Sequence, residues 1–231
     1  MKALHLFCLE LGRLFQSRLT WLVILLTVLS PLAGLGLYKP TAADTMLSMY
    51  LADPALAGGV VGGILFGLLT VYELDRTERS RVGMLMDAAV SPLTMALVRL
   101  PALAAAAVLG LGLTMLVWLP ISRELIGSVF GGTDYLLSYL LFMGLALAAA
   151  AAYQFTRRSD LSLVLFAAFA ALSLTVWAGK WQLCWLNPCV WALSDDFSNF
   201  RLYRSVAYMR LTWLAALAGV WTLSWLCIRQ Y

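Results

Sequence analysis

Six long apolar segments, each close to the length that crosses a lipid bilayer, constrain this chain more than any other feature. A transmembrane helix needs about 20 consecutive apolar residues. The predicted spans cover residues 19–37, 56–72, 92–119, 135–155, 161–178 and 209–228. Because lipid offers no partner to backbone N–H and C=O groups, each span is predicted to be an α-helix. The sequence therefore predicts an all-α membrane protein whose residues 1–231 form a single transmembrane domain.

The composition excludes a soluble domain of ordinary size. Hydrophobic residues make up 62% of the 231 residues and charged residues only 12%, whereas about a quarter of a soluble domain is charged. Six spans and their short connections use most of the chain. We therefore expect no catalytic or ligand-binding domain beside the membrane helices.

The N-terminal segment, residues 1–18, has the pattern of an amphipathic helix. One face is apolar and carries Leu4, Phe7, Cys8, Leu11, Leu14 and Phe15. The opposite face is polar and carries Lys2, His5, Glu10, Arg13, Gln16 and Ser17. Such a helix suits the membrane interface, with its polar face toward lipid headgroups. The alternative is the first turn of a long membrane helix, but Arg18 interrupts the apolar face where the first span begins.

Basic residues are distributed unevenly between the two sides of the six-span topology. Ten of the 16 lysines and arginines fall on the side of the termini and six on the other. The positive-inside rule then places both termini in the cytoplasm. Arg99 and Arg210 are expected near the ends of spans, where their side chains can snorkel to the interface. No ionisable residue is expected near the middle of a span, which argues against an ion-driven carrier.

Glycines on the second span indicate close helix packing. Gly59, Gly63 and Gly67 recur every four residues, and small residues at this spacing let helices approach closely in lipid. Packing within one subunit is the default interpretation, since glycine alone does not establish a subunit interface.

Motifs for catalysis, nucleotide binding and metal binding are absent from the sequence. There is no GxxxxGK[ST] phosphate loop, no HExxH zinc motif and no GxSxG nucleophile elbow. His5 is the single histidine, and no cysteine–histidine cluster has metal-binding spacing. We therefore predict that this chain has no catalytic residue, no metal site and no bound cofactor.

The predicted external connection, residues 179–208, contains two cysteines and several tryptophans. Cys184 and Cys189 could form a disulfide in an oxidising compartment, or they could remain buried thiols. The tryptophans fit either an aromatic belt at the membrane interface or a hairpin inserted halfway into the membrane.

The segment between the second and third spans, residues 73–91, carries the most informative pattern. A cluster of charged residues is followed by a short apolar stretch and then by Ser91-Pro92. Ser91 is predicted to cap the next helix, and Pro92 is predicted to occupy its first position. The central run reads Glu78-Arg79-Ser80-Arg81-Val82-Gly83-Met84-Leu85-Met86-Asp87-Ala88-Ala89-Val90-Ser91-Pro92-Leu93.

This run, placed between the second and third of six spans, resembles a cytoplasmic motif of the membrane subunits (permeases) of ABC transporters of the type-2 exporter family. The family motif is acidic and basic, then Gly-Thr, then rich in leucine, then proline. Met84 stands here where the family usually has threonine, and Ser-Pro stands where Pro-x-Ser is common. The match in layout covers nearly the whole chain.

The resemblance implies a coupling helix seated in a groove of a separate ATP-binding subunit. Its candidate contacts are Glu78, Arg79, Arg81, Gly83, Met84, Leu85, Met86 and Asp87. Two ATP-binding subunits would hold ATP and Mg²⁺, and a second permease, the same or a sister chain, would complete the path. Residues 1–18 would be the elbow helix, and the external connection would form a re-entrant hairpin. The implied setting is the cytoplasmic membrane of a bacterium, with lipid but no nucleic acid as a partner.

The resemblance further implies export, with an amphipathic peptide, drug or lipid-like molecule as substrate. Two alternatives remain open at this point. The charged segment could be a solvated loop that obeys the positive-inside rule. The whole chain could be a membrane assembly or accessory protein that binds a partner without transport.

Overall fold

The computed structural model of the chain describes residues 2–37, 46–79, 91–126, 132–172 and 200–228. These ranges are helical almost throughout, with short breaks at Ser17 and at residues 157–158. The described part of the chain therefore confirms the all-α prediction. The helices are α1 (Lys2–Gln16), α2 (Arg18–Leu37), α3 (Met46–Arg79), α4 (Pro92–Ile126), α5 (Gly132–Thr156), α6 (Ser159–Ala171) and α7 (Phe200–Ile228).

By length and hydropathy, one of these helices is a candidate membrane span. Within the described ranges, the stretch Leu93–Ile121 of α4 is long and apolar enough to cross a bilayer. A second span results if Leu4–Gln16 and Arg18–Leu32, which meet at an angle of 73°, are counted together. Phe142–Thr156 and Ser159–Ala171 are apolar but shorter.

The chain breaks between α1 and α2 at Ser17. The amide of Ser17 donates to the carbonyl oxygen of Leu14 at 3.1 Å and ends α1. The indole of Trp21 then donates to the carbonyl oxygen of Phe15 at 2.7 Å, which fixes the bend. α1 is therefore a separate helix, and it crosses the N-terminal end of α2 at a steep angle.

α3 occupies the centre of the bundle. It packs along α5 and α2 and also contacts α4 and α6, while α1 lies against α4 and α7 against α5. The core between these helices is built from apolar side chains of five helices: Leu14, Ile24, Phe66, Leu103 and Phe142.

Close contact along one side of α3 depends on glycine. A Cβ atom at Gly67 would lie 2.2 Å from Cζ of Phe166 in α6, and one at Gly63 would lie 2.7 Å from Cδ1 of Leu145 in α5. Gly59 is buried on the same helix. We call the contact of Gly63 and Gly67 with Leu145 and Phe166 the glycine seam. A side chain at either glycine would require the facing side chain, Leu145 or Phe166, to move.

Candidate functional site

Four charged side chains from three helices meet where α1 crosses α3 and α4. Nε of Arg99 lies 2.8 Å from Oε1 of Glu10, which joins α4 to α1. Nη1 of Arg13 lies 2.8 Å from Oε2 of Glu73, which joins α1 to α3. Arg13 also donates from Nε to the second carboxylate oxygen of Glu10. We call Glu10, Arg13, Glu73 and Arg99 the ionic junction.

The ionic junction is largely shielded from solvent. The side chains of Glu73, Glu10 and Arg99 are 2%, 8% and 12% exposed, and that of Arg13 is 34% exposed. Two positive charges balance two negative ones. Buried charges are tolerated only when they are paired, because the uncompensated desolvation of a single ion costs several kcal/mol. Each member therefore depends on the others.

The ionic junction shifts the pKa values of its two members on α1, Glu10 and Arg13. Burial raises the pKa of the Glu10 carboxyl, but hydrogen bonds and positive charge from Arg99 and Arg13 outweigh it and hold the pKa below its ordinary value. Burial lowers the pKa of Arg13, but the carboxylates of Glu10 and Glu73 outweigh it and raise the pKa. Both groups therefore stay charged at neutral pH.

The orientation of α1 differs from the sequence-based expectation. Glu10 and Arg13 were expected to face lipid headgroups, whereas they face α3 and α4 together with buried Leu14. Leu4 and Leu9 are 70% and 57% exposed. The prediction is therefore wrong for Glu10 and Arg13, whereas His5 and Gln16 of the same face are exposed. Helical periodicity identifies a polar face but not the charges that will meet it.

Two acidic residues near the end of α3, Glu73 and Asp75, also lie inside the bundle. Residues 73–79, predicted to begin the cytoplasmic segment, continue α3 as helix to Arg79. Asp75 is 7% exposed, and its carboxylate accepts a hydrogen bond from the hydroxyl of Tyr153 in α5 at 3.4 Å. Arg76, whose side chain is 49% exposed, lies 3.7 Å from Glu73 at the rim. Hydropathy marks where the apolar stretch ends, whereas packing decides where the helix ends.

α4 begins as the sequence predicts. The amide of Thr94 donates to Oγ of Ser91 at 3.3 Å, so Ser91 caps the helix. Pro92 occupies the first helical position. This capped start lies two turns before Arg99, so the ionic junction holds the beginning of α4 and the end of α3 to the same helix, α1.

Several predicted site residues lie outside the described residues. Glu78 and Arg79 are the last residues of α3. Those in the undescribed ranges 80–90 and 173–199 are Arg81, Gly83, Met84, Leu85, Met86, Asp87, Cys184 and Cys189. The range 80–90 is therefore bracketed by the two helices that the ionic junction joins.

Arg210 lies in the protein interior. α7 begins at Phe200, well before the predicted start of the span at 209, and Arg210 is 1% exposed. The expectation that it snorkels at a helix end is therefore wrong. The extra turns come from Phe200–Tyr208, a polar and aromatic stretch that hydropathy does not mark as a span but that is compatible with a helix.

The spacing of Glu10 and Arg13 is the sequence signal that could have indicated the junction, since residues three apart share a helix face. Arg99 is 89 residues from Glu10 in the chain, and nothing local links the two. Among the described residues, no group of three or more histidine, cysteine or carboxylate side chains could hold a metal ion.

Comparisons of the chain with protein-family models, with curated proteins and with solved structures give no match.

Proposed function

We propose that this chain is the membrane-spanning permease subunit of an ATP-driven ABC exporter. Two such permeases form the translocation path, and each is coupled to a separate ATP-binding subunit. The cargo is an amphipathic peptide, drug or lipid-like molecule. In this proposal the chain crosses the cytoplasmic membrane of a bacterium six times with both termini inside, and it binds no nucleotide itself.

One observation carries the proposal: the ionic junction ties α1 to both helices that flank residues 80–90. Arg99 and Glu10 connect the start of α4 to α1 at 2.8 Å, and Glu73 and Arg13 connect the end of α3 to α1 at 2.8 Å. A force on residues 80–90 therefore reaches three helices at once. That arrangement suits a segment which receives motion from an ATP-binding partner.

The buried and exposed surfaces support the membrane setting. Leu22, Leu25, Leu29 and Leu32 of α2 are 52%, 57%, 45% and 53% exposed. Val164 of α6 is 65% exposed. Extended apolar surface of this kind is unfavourable in water but suits contact with lipid.

Co-purification tests the proposal. The tagged chain, extracted from its native membrane in mild detergent, should bring along an ATP-binding subunit in equal amount, identified by mass spectrometry. Recovery of partners without any ATPase would instead favour a membrane assembly or accessory protein and would overturn the transporter proposal.

Substitution of the predicted coupling contacts tests the mechanism. Replacing Met84, Leu85 and Met86 with aspartate places charge on the apolar contact surface, because methionine and leucine supply its adaptable packing. We expect loss of substrate-stimulated ATP hydrolysis with normal membrane insertion. The matched control, Met84→Leu with Met86→Leu, keeps the surface apolar and should retain coupling. Unchanged ATP hydrolysis in the aspartate variant would contradict the assignment.

A further inference from the structure

The turn between α5 and α6 has a left-handed residue that is not glycine. Arg157 has φ 51°, a conformation that glycine occupies most often where it ends a helix. The backbone is held there by the amide of Arg157, which donates to the carbonyl oxygen of Tyr153 at 2.8 Å. Hydroxyl groups of Thr156 and Ser162 lie 2.6 Å apart and close the turn from the other side. The turn is therefore a built structure in which an unfavourable backbone is maintained.

The side chain of Arg157 is oriented by an aromatic ring. Its Cζ lies 5.3 Å from the centroid of the Trp225 ring in α7, within the range of a cation–π contact. The next residue, Arg158, is exposed in an extended conformation at the start of α6. Two exposed arginines thus follow each other in the chain, and the guanidinium of Arg157 lies over the ring of Trp225.

Apolar side chains flank this cationic turn. Phe155 is 56% exposed and Leu161 is 49% exposed, so polar and apolar surface meet within a few residues. Gln154 is buried, and its Nε2 has no hydrogen-bond partner in the described part of the chain. The combination of arginine, tryptophan and exposed apolar side chains is typical of a membrane–water interface.

We propose that the turn at residues 156–160 binds the headgroup of an anionic phospholipid, specifically one with a phosphoglycerol headgroup. The inference rests on the proposed membrane setting but does not require an ATPase. Guanidinium groups of Arg157 and Arg158 form charge-assisted hydrogen bonds with the phosphate. Asp160, exposed in the first turn of α6, accepts hydrogen bonds from the glycerol hydroxyls, and Phe155 and Leu161 lie along the acyl chains.

Lipid titration of the purified chain in detergent, followed by native mass spectrometry, tests the proposal. Phosphatidylglycerol should bind more tightly than phosphatidylcholine. Arg157→Gly removes the cation and suits the positive φ, so the fold is preserved, and binding should weaken about fivefold. The double variant Arg157→Gly with Arg158→Gln should weaken it about 30-fold. Arg157→Lys keeps the charge but not the planar donors, so its affinity should fall between those of the wild type and Arg157→Gly.

A second arginine provides a matched control. Arg204 is exposed, and its Cζ lies 5.3 Å from the ring centroid of Tyr208, but it occupies a regular part of α7. Arg204→Gln should leave phosphatidylglycerol binding unchanged. If Arg204→Gln and Arg157→Gly lowered the affinity for phosphatidylglycerol equally, any exposed arginine would attract the lipid to the same extent. That result would overturn the proposed site. Equal affinity for phosphatidylglycerol and phosphatidylcholine would overturn it too.

Soluble glycerol phosphate separates a lipid site from a simple anion site. Binding of glycerol phosphate as tightly as of the lipid would overturn the lipid assignment, whereas displacement only at large excess supports it. The outcome is independent of ATPase co-purification. Lipid binding without co-purification of an ATPase would overturn the exporter proposal alone. Co-purification of an ATPase without selective lipid binding would overturn the headgroup site alone.

Discussion

The glycine seam and the ionic junction both lie on α3, less than two turns apart, yet opposite physical requirements stabilise them. At the seam, Gly67 leaves room for the ring of Phe166, and a Cβ there would lie 2.2 Å from it. At the junction, Glu73 is 2% exposed and needs the charge of Arg13 at 2.8 Å. Added volume is expected to destabilise the seam, whereas loss of a charged partner is expected to destabilise the junction. One helix thus carries a contact fixed by shape beside one fixed by charge.

The largest effect is expected from breaking the junction at Arg99. Arg99→Met keeps much of the side-chain volume but leaves the buried Glu10 carboxylate without its α4 partner. Loss of one partner of a buried ion pair typically costs about 3–5 kcal/mol. The free energy of unfolding, measured in detergent by tryptophan fluorescence, should fall by an amount of this order.

Adding Glu10→Gln to Arg99→Met should recover part of that loss, because the uncompensated charge is then removed. Arg76→Gln is the matched control. Its side chain is 49% exposed and 3.7 Å from Glu73, so its removal should change the free energy of unfolding by less than about 1 kcal/mol. Equal losses in the single and double variants would show that charge burial does not dominate at the junction.

A smaller effect is expected from filling the seam. Gly67→Leu forces α3 and α6 apart, and overpacking of this kind costs about 1–3 kcal/mol. Adding Phe166→Ala should restore some stability, because it vacates the space. Gly219, which has no atom within 4 Å of an added Cβ, provides the control. Gly219→Ala should raise the free energy of unfolding by up to about 1 kcal/mol, since alanine favours helix. A loss at Gly219 as large as at Gly67 would contradict the seam.

Acidification should produce the smallest of these effects, and it should act on the ionic junction but not on the glycine seam. The pKa of Glu10 is lowered in the folded state from an ordinary value of 4.5. Its contribution to stability is therefore fully present above about pH 4.5 and is lost as the pH falls through the lowered pKa. The difference in free energy of unfolding between the wild type and Glu10→Gln should stay constant above about pH 4.5 and shrink as the pH falls below that value. A difference that did not change with pH would contradict the lowered pKa, and Gly67→Leu should show no such trend.

The glycine seam and the ionic junction also differ in how much of each can be predicted from the sequence. The spacing of Gly63 and Gly67 lies within one helix, so it indicates close packing before any partner is known. It does not identify Leu145 and Phe166 as the side chains that fill the space. The cap at Ser91 and the break before Arg18 are equally local, and both are visible in the sequence.

The junction could not be predicted, because its members come from distant parts of the chain. Glu10 and Arg99 are 89 residues apart, and a polar helix face looks the same whether it meets headgroups or arginines. Arg210 shows the same limit. Hydropathy found the apolar part of α7 but not the extra turns that begin at Phe200, and those turns carry Arg210 away from a helix end.

The lengths of α3 and α4 have a consequence for the proposed bilayer. They contain 34 and 35 residues, which at about 1.5 Å per residue makes each about 50 Å long. The hydrocarbon layer is only about 30 Å thick, and fitting such a helix inside it would need a tilt of more than about 50°, beyond the usual limit of about 40°. In the proposed bilayer, both helices would therefore extend beyond the hydrocarbon layer. If the excess length lies at the end that holds Glu73 and Arg99, the junction would sit outside the hydrocarbon layer, on the side where the proposed ATP-binding subunit is expected.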